Sequence, residues 1–236
     1  MKRRSILLAA ISAVAMLVTA PEAEAQDSLS VDISGELVSR YIWRGMDVGY
    51  GVSLQSDLCF SYKGLSLEAW GAASLHDVGL REFDVMLSYN IGGFTATLTD
   101  YFSGDEDTNY KDYRNNHTGE LQLDYSFDAV PLTLTWATML WAGEQVELDD
   151  EGDRMFSSYF GVSYEADVRG VTLTPAIGIT PWKGQYADGF KVTDITLKAE
   201  KAIVETERVK VPMYTQAIVS PANTKTYLVL GIRVEL

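Results

Sequence analysis

From Leu29 onward the chain alternates apolar and polar positions. Leu29, Val31, Ile33, Gly35 and Leu37 share one phase, while Ser30, Asp32, Ser34 and Glu36 share the other. Successive side chains of an extended strand point to opposite faces, so this pattern predicts a strand with one apolar and one polar side. The same alternation returns over 52–62, 81–90, 117–127 and 226–236. Beyond residue 26 no stretch of comparable length carries a helical period. Turn residues divide the chain into about twelve strands, at 29–44, 52–62, 65–75, 81–90, 94–102, 117–127, 132–142, 156–165, 171–180, 190–199, 208–218 and 226–236. The predicted class is all-β and antiparallel. Pro175 and Pro212 fall inside predicted strands, and each removes a ladder donor, so a bulge or local break is expected at both.

The connections add an architecture. Lys63-Gly64, Ile91-Gly92-Gly93, Asp128 to Pro131, Ala166 to Gly170 and an Ala-rich stretch at 200–207 are short, and longer segments alternate with them. Short turns at one end and long loops at the other, with an even strand number, are the habit of bacterial outer-membrane barrels. The N-terminal residues point to the same compartment. Lys2, Arg3 and Arg4 precede an apolar run of 15 residues from Ile6 to Ala20, and Ala23-Glu24-Ala25 offers small residues to a signal peptidase. Residues 1–25 are therefore expected to be a cleaved secretory signal peptide, and 26–236 a single barrel domain. The run is shorter than the roughly 18–20 residues a spanning helix needs.

Composition narrows the function. Three basic and two acidic residues leave with the leader, so residues 26–236 carry 16 basic against 31 acidic groups, a balance of −15. That acidity excludes a general nucleic-acid binder. One cysteine, Cys59, excludes an internal disulfide, and two histidines leave little for metal chemistry. No cofactor, metal-ligand set or catalytic residue is expected.

Alternation alone does not say which face is outside. In a soluble barrel the apolar phase points inward; in a membrane barrel it meets lipid. Position of the aromatics favours lipid. Phe60, Tyr62, Tyr89, Tyr125, Phe127 and Tyr164 all lie in the apolar phase beside short turns, where a membrane interface rewards amphipathic rings. Tyr41 and Trp43, at the other end of the first strand, are expected to begin a second girdle. The expected fold is thus a transmembrane antiparallel barrel in the bacterial outer membrane, both termini periplasmic, its first strand paired with its last.

The stretch Ser39-Arg40-Tyr41-Ile42-Trp43-Arg44-Gly45-Met46 resembles the S-x-Y-x-x-R-G signature near the start of the TorF-type putative porins, a family of outer-membrane proteins. The next hairpin, through Lys63-Gly64 to Leu65–Gly71, looks like that family's first. The resemblance covers roughly 33–75 and implies a porin-like barrel with no catalytic residues.

The polar phase then becomes the lumen. Its candidate lining residues are Glu36, Arg40, Arg44, Asp57, Glu68, Glu82, Asp84, Glu120, Asp124, Lys198, Lys210 and Arg233, with Cys59 as a small filler. Structural cross-strand charge pairs are one expectation for them. A solute path is the other, and the acidic excess then predicts preference for neutral or cationic solutes. Twelve strands fall between filled small barrels and open large ones, so any pore is narrow. Expected partners are outer-membrane lipid and a small permeant. Two acidic loops, one with Asp105, Glu106, Asp107 and Asp112, the other with Glu144, Glu147, Asp149, Asp150, Glu151 and Asp153, lack calcium-loop spacing and read as solvated charge.

Two readings from other classes stay open. One is a closed barrel with a structural or surface-interaction role. The other is a lipid hydrolase, for which Ser74 with His76, or Thr118 with His117, supplies the only nearby nucleophile and base.

Overall fold

The structure, a computed structural model, describes residues 28–49, 51–76, 81–105, 107–141 and 148–236. The expected signal peptide lies outside them. Twelve strands form one closed antiparallel barrel: β1 Ser30–Val38, β2 Ser53–Tyr62, β3 Leu65–Ser74, β4 Arg81–Ile91, β5 Phe94–Gly104, β6 His117–Ser126, β7 Leu132–Trp141, β8 Ser158–Tyr164, β9 Thr172–Thr180, β10 Lys191–Glu205, β11 Lys210–Ser220 and β12 Lys225–Glu235. Each pairs with its chain neighbours, and β1 closes on β12 with Glu36 opposite Arg233 and Val38 opposite Gly231. Closure leaves no sheet edge unpaired, which suits an isolated twelve-strand sheet.

The apolar phase faces outward. Leu54 is 52% exposed, Leu67 49% and Leu228 68%, whereas the inward-facing Ser53, Asp84 and Glu120 are buried. A soluble barrel would show the reverse, so the soluble alternative is overturned by burial alone. Phe60, Tyr62, Tyr89, Tyr125, Phe127 and Tyr164 stand on this outer face beside the short turns. Among the described residues no helix is long and apolar enough to cross a membrane.

Both prolines act on the ladder. Ser163 pairs with Ala176 and Ala166 with Leu173, so the intervening positions, Pro175 among them, are missing from an otherwise constant register. Ala166–Asp167 is therefore a detached continuation of β8. Pro212 lies opposite Ala202, where the β10–β11 register shifts before Val204. The missing N–H is the cause in each case.

Two boundaries differ from the sequence pattern. The tenth strand does not stop at 199 but runs to Glu205, because its alternation simply continues and the chain turns only at Thr206, whose Oγ1 accepts the Val209 amide at 3.0 Å. The first strand stops at Val38 rather than 44. The residues just beyond Val38 shape the barrel interior.

Candidate lumen constriction

After Val38 the chain leaves the wall and makes a miniature hairpin, Ile42–Trp43 paired with Met46–Asp47. Its turn is Arg44-Gly45 with φ 49° and 79°, the same values as Lys63-Gly64, 49° and 79°, at the β2–β3 turn. Positive φ at both central residues marks the tight turn that matches strand twist, and glycine in second place tolerates it. The hairpin enters the barrel. Ile42 packs on an inward apolar pad of Val38, Ile218 and Val229. The Gly45 carbonyl accepts the Asn223 side-chain amide at 3.1 Å, and a Cβ on Gly45 would collide with the Thr193 carbonyl.

From that seat Arg44 reaches across to β6. Nη1 donates to Glu120 Oε2 at 2.5 Å and Nη2 to Glu120 Oε1 at 2.8 Å, a bidentate pair. Nη1 also reaches the Tyr186 hydroxyl at 2.5 Å and Nη2 the Gln122 side-chain carbonyl at 3.1 Å. Tyr101 donates its hydroxyl to Glu120 Oε1 at 3.0 Å. Two rings cover the guanidinium, Trp43 at 4.5 Å and Tyr159 at 4.7 Å from its carbon. Only 8% of the Arg44 side chain and 1% of that of Glu120 is exposed. A knot drawing on the hairpin, β5, β6, β8 and the 181–190 segment thus crosses the lumen. Tyr186→Phe removes one bond to a charged donor, and unfolding in detergent is expected to show a loss of about 1.5–3 kcal/mol.

This corrects two expectations. Tyr41 and Trp43 do not begin an outer girdle; both lie inside, Tyr41 against Trp70 at 5.5 Å and Trp43 against Tyr101 at 5.9 Å between ring centroids. Nor does Arg44 line the wall as part of the first strand. The cause of both is that the chain turns inward at Ser39 and carries the aromatics with it. Arg40 stays at the hairpin base, paired with Asp47 at 2.9 Å.

The remaining charges divide by wall. On β10–β12 three inward cations are paired: Lys198 with Glu200 at 2.5 Å, Arg233 with Glu36 at 3.4 Å, and Lys210 with Glu235 at 3.9 Å. Tyr214 donates to Glu36 as well. On β2–β6, apart from Glu120, which holds Arg44, the inward acids lack such partners. Ser34 donates to Asp57, and Asp124 accepts Thr135 at 2.6 Å and Gln122 at 2.8 Å. Among the described residues none of Asp57, Glu68 and Asp124 has an ion pair; Glu82 takes hydrogen bonds from Tyr41 and Ser103. The inner surface is therefore polarised from an acidic wall to a mixed one. Sequence reasoning missed Tyr101, Gln122, Tyr159 and Tyr186 as members of the site. The Arg-Gly pair, matching Lys63-Gly64, was the available signal for the turn.

The histidines stand elsewhere. His117 lies on the outer face near the long-loop end, its Nδ1 3.0 Å from Asp100 and its Nε2 donating to the Tyr110 carbonyl at 2.6 Å, with Tyr113 stacked 3.8 Å over it. Both ring nitrogens are thus taken by groups other than Thr118. At the other candidate, the described bond runs from the His76 backbone amide to Ser74 Oγ at 3.2 Å. The arrangement at His117 is not a nucleophile held by a base. In the first acidic loop Thr108 and the Asp107 amide hydrogen-bond Asp105 and hold its carboxyl below the usual range. In the second, the described Asp149 accepts the amides of Glu151 and Asp153, while Glu144 and Glu147 lie outside the described residues. Among the described residues no three His, Cys, Asp or Glu side chains converge as a metal site would require.

No protein-family model matches the chain, and no curated protein matches it in sequence. Its shape is similar to those of several solved structures. A KdgM porin shares 10% identity and a TM-score of 0.49 over 86% of this chain and 97% of that one. An outer-membrane channel from Pseudomonas putida F1 shares 14% and 0.44 over 92% and 98%. A bacterial polysaccharide outer membrane secretin shares 9% and 0.41 over 89% and 98%.

Proposed function

We propose that this protein is a porin-like barrel of the bacterial outer membrane, delivered by residues 1–25 and inserted with both termini in the periplasm. Its lumen passes small neutral or cationic solutes and is narrowed by its own Arg44 hairpin. The TorF-type resemblance of Ser39–Met46 belongs to the same proposal. One observation carries it: among the described residues the inner acids Asp57, Glu68 and Asp124 have no ion pair, whereas Lys198 and Arg233 across the barrel are each held by a carboxylate. Fixed negative charge in a narrow passage attracts cations and repels anions.

Planar-bilayer measurements under a potassium chloride gradient are expected to give a reversal potential of the sign for cation preference. Anion preference, or no conductance, overturns the proposal. The outer face offers a separate check. Leu87→Arg places a charge on the apolar wall, and folding into phospholipid vesicles is expected to weaken by about 2–4 kcal/mol, the midplane penalty for arginine. A shift below half of that would place Leu87 away from the bilayer centre.

A second reading has its own support. The Arg44–Glu120 knot crosses the passage with almost no exposed surface, which suits a closed barrel with a structural role. Liposome swelling with sugars of graded size separates the two: uptake of the smallest favours the channel, and exclusion of all favours the closed barrel.

A further inference from the structure

One loop folds onto the outside of the barrel. Asp100 shares its phase on β5 with the exposed Leu98, and His117 shares its phase on β6 with the exposed Tyr125. Both side chains therefore leave the wall on its outer side. A carboxylate and an imidazole on a lipid-facing wall are costly unless they are paired and covered. The β5–β6 loop does both. His117 is fully buried under it. Its Nδ1 meets Asp100, its Nε2 the Tyr110 carbonyl, and the ring of Tyr113, which opens the short helical turn Tyr113–Asn116, lies over it.

The cover is aromatic. Between ring centroids Tyr110 lies 5.0 Å from Phe102, 6.2 Å from Phe83 and 6.0 Å from Tyr113. Phe83, Tyr110 and Tyr113 each keep an exposed side. Register sets the height of this cluster. On β5, Phe94 stands opposite Tyr125 in the short-turn row of rings, and Phe102 stands opposite His117. The eight residues that β5 climbs between those rows rise about 20 Å at a strand tilt of about 40°. The apolar band of an outer-membrane barrel is about 25 Å tall and carries aromatic rings at both edges. The cluster thus continues the outward apolar wall to the height where a ring bearing a hydroxyl is favoured, with carbon below and water above.

We propose that the β5–β6 loop is a membrane anchor, docked on the barrel wall by the His117–Asp100 pair and presenting Tyr110 and Tyr113 to the lipid headgroup layer at the long-loop end. Over this sector the second row of interfacial rings is carried by a loop and not by a strand. The inference rests on the reading of the barrel as membrane-inserted and is independent of any conductance.

The test uses the full chain folded into phosphatidylcholine vesicles, with Cys59→Ser removing the native thiol. Lys111→Cys in the loop, Leu87→Cys on the outer wall and Asp150→Cys in the other acidic loop are made one at a time, and each carries an environment-sensitive fluorophore. Lipids spin-labelled near the headgroup are expected to quench the label at Lys111→Cys, and lipids labelled in mid-chain that at Leu87→Cys. Asp150→Cys, at an exposed side chain, is expected to answer only to aqueous iodide. His117→Leu, which removes both bonds, and Tyr113→Ser are each expected to strip most of the lipid quenching from Lys111→Cys and leave Leu87→Cys unchanged. Folding of each variant is verified by the migration difference between boiled and unboiled protein, and Tyr113→Ser carries the test should His117→Leu misfold. Quenching of Lys111→Cys by iodide alone, or lipid quenching that both folded variants retain, would overturn the anchor. Shielding from lipid and iodide alike, with cross-linking of two chains, would overturn it too and mark the patch as a contact between copies. Lipid quenching at Leu87→Cys with none at Lys111→Cys strikes the anchor and leaves the membrane barrel standing; none at either sinks both.

Discussion

Arg44→Ala is expected to raise conductance several-fold and to lower stability by about 3–5 kcal/mol, the cost of breaking a buried ion pair by removing one partner. Glu120, 1% exposed, would lose both guanidinium bonds and, among the described residues, keep the Tyr101 hydroxyl as its side-chain donor. Removing both members together costs less than the two single changes summed, because no buried charge is then left alone. The Arg44→Ala/Glu120→Leu variant is therefore expected to lie nearer the wild type than Arg44→Ala does. Arg44→Lys does not substitute: an ammonium lacks the planar fork that meets Glu120 twice and Gln122 and Tyr186 besides. Denaturant unfolding in detergent and single-channel recording check both halves. Unchanged conductance with a stability change below about 1 kcal/mol would show that the hairpin does not cross the passage.

Gly45→Val should reproduce the open phenotype without touching any charge. Its Cβ would collide with the Thr193 carbonyl and crowd the Ser220 hydroxyl, in a backbone with φ 79° that a β-branched residue avoids. Strain of this kind costs on the order of 1–3 kcal/mol before the clash is added. The hairpin then leaves its seat, and Arg44 leaves Glu120 with it. Gly92→Ala is the control, since its φ of 59° is also positive yet its Cβ would meet nothing within 4 Å. Conductance is expected to rise in Gly45→Val and to stay unchanged in Gly92→Ala. Equal behaviour of the two would mean that strain in a turn, and not loss of the plug, accounts for any effect.

The hairpin is hidden within the alternation of the chain. Val38, Ser39 and Ile42 break the alternation, yet Tyr41 and Trp43 still fall on the odd-numbered positions of the apolar phase with Leu37. A period of two reports only which residues share a face of a strand. It does not report that the strand has left the sheet. Aromatic rings are served equally by lipid and by stacking around a guanidinium, so their chemistry did not separate the two fates either. Pro175 and Pro212 were legible for the opposite reason: a missing N–H is a property of the residue itself, and the ladder breaks wherever it stands.

By itself, then, the amino-acid sequence determined twelve strands, their antiparallel order, the short-turn end with its row of tyrosines in the apolar phase, and the acidic excess. All of these are local or additive: side-chain period, turn residues and charge counts act wherever the chain goes. Only the tertiary structure decided that the apolar face is outside, that β1 ends at Val38, and that Arg44 meets Glu120 across 76 positions of sequence. Those depend on closure. Until β1 pairs with β12 there is no interior for a hairpin to enter, and no enclosed space in which two opposite charges become each other's nearest partner.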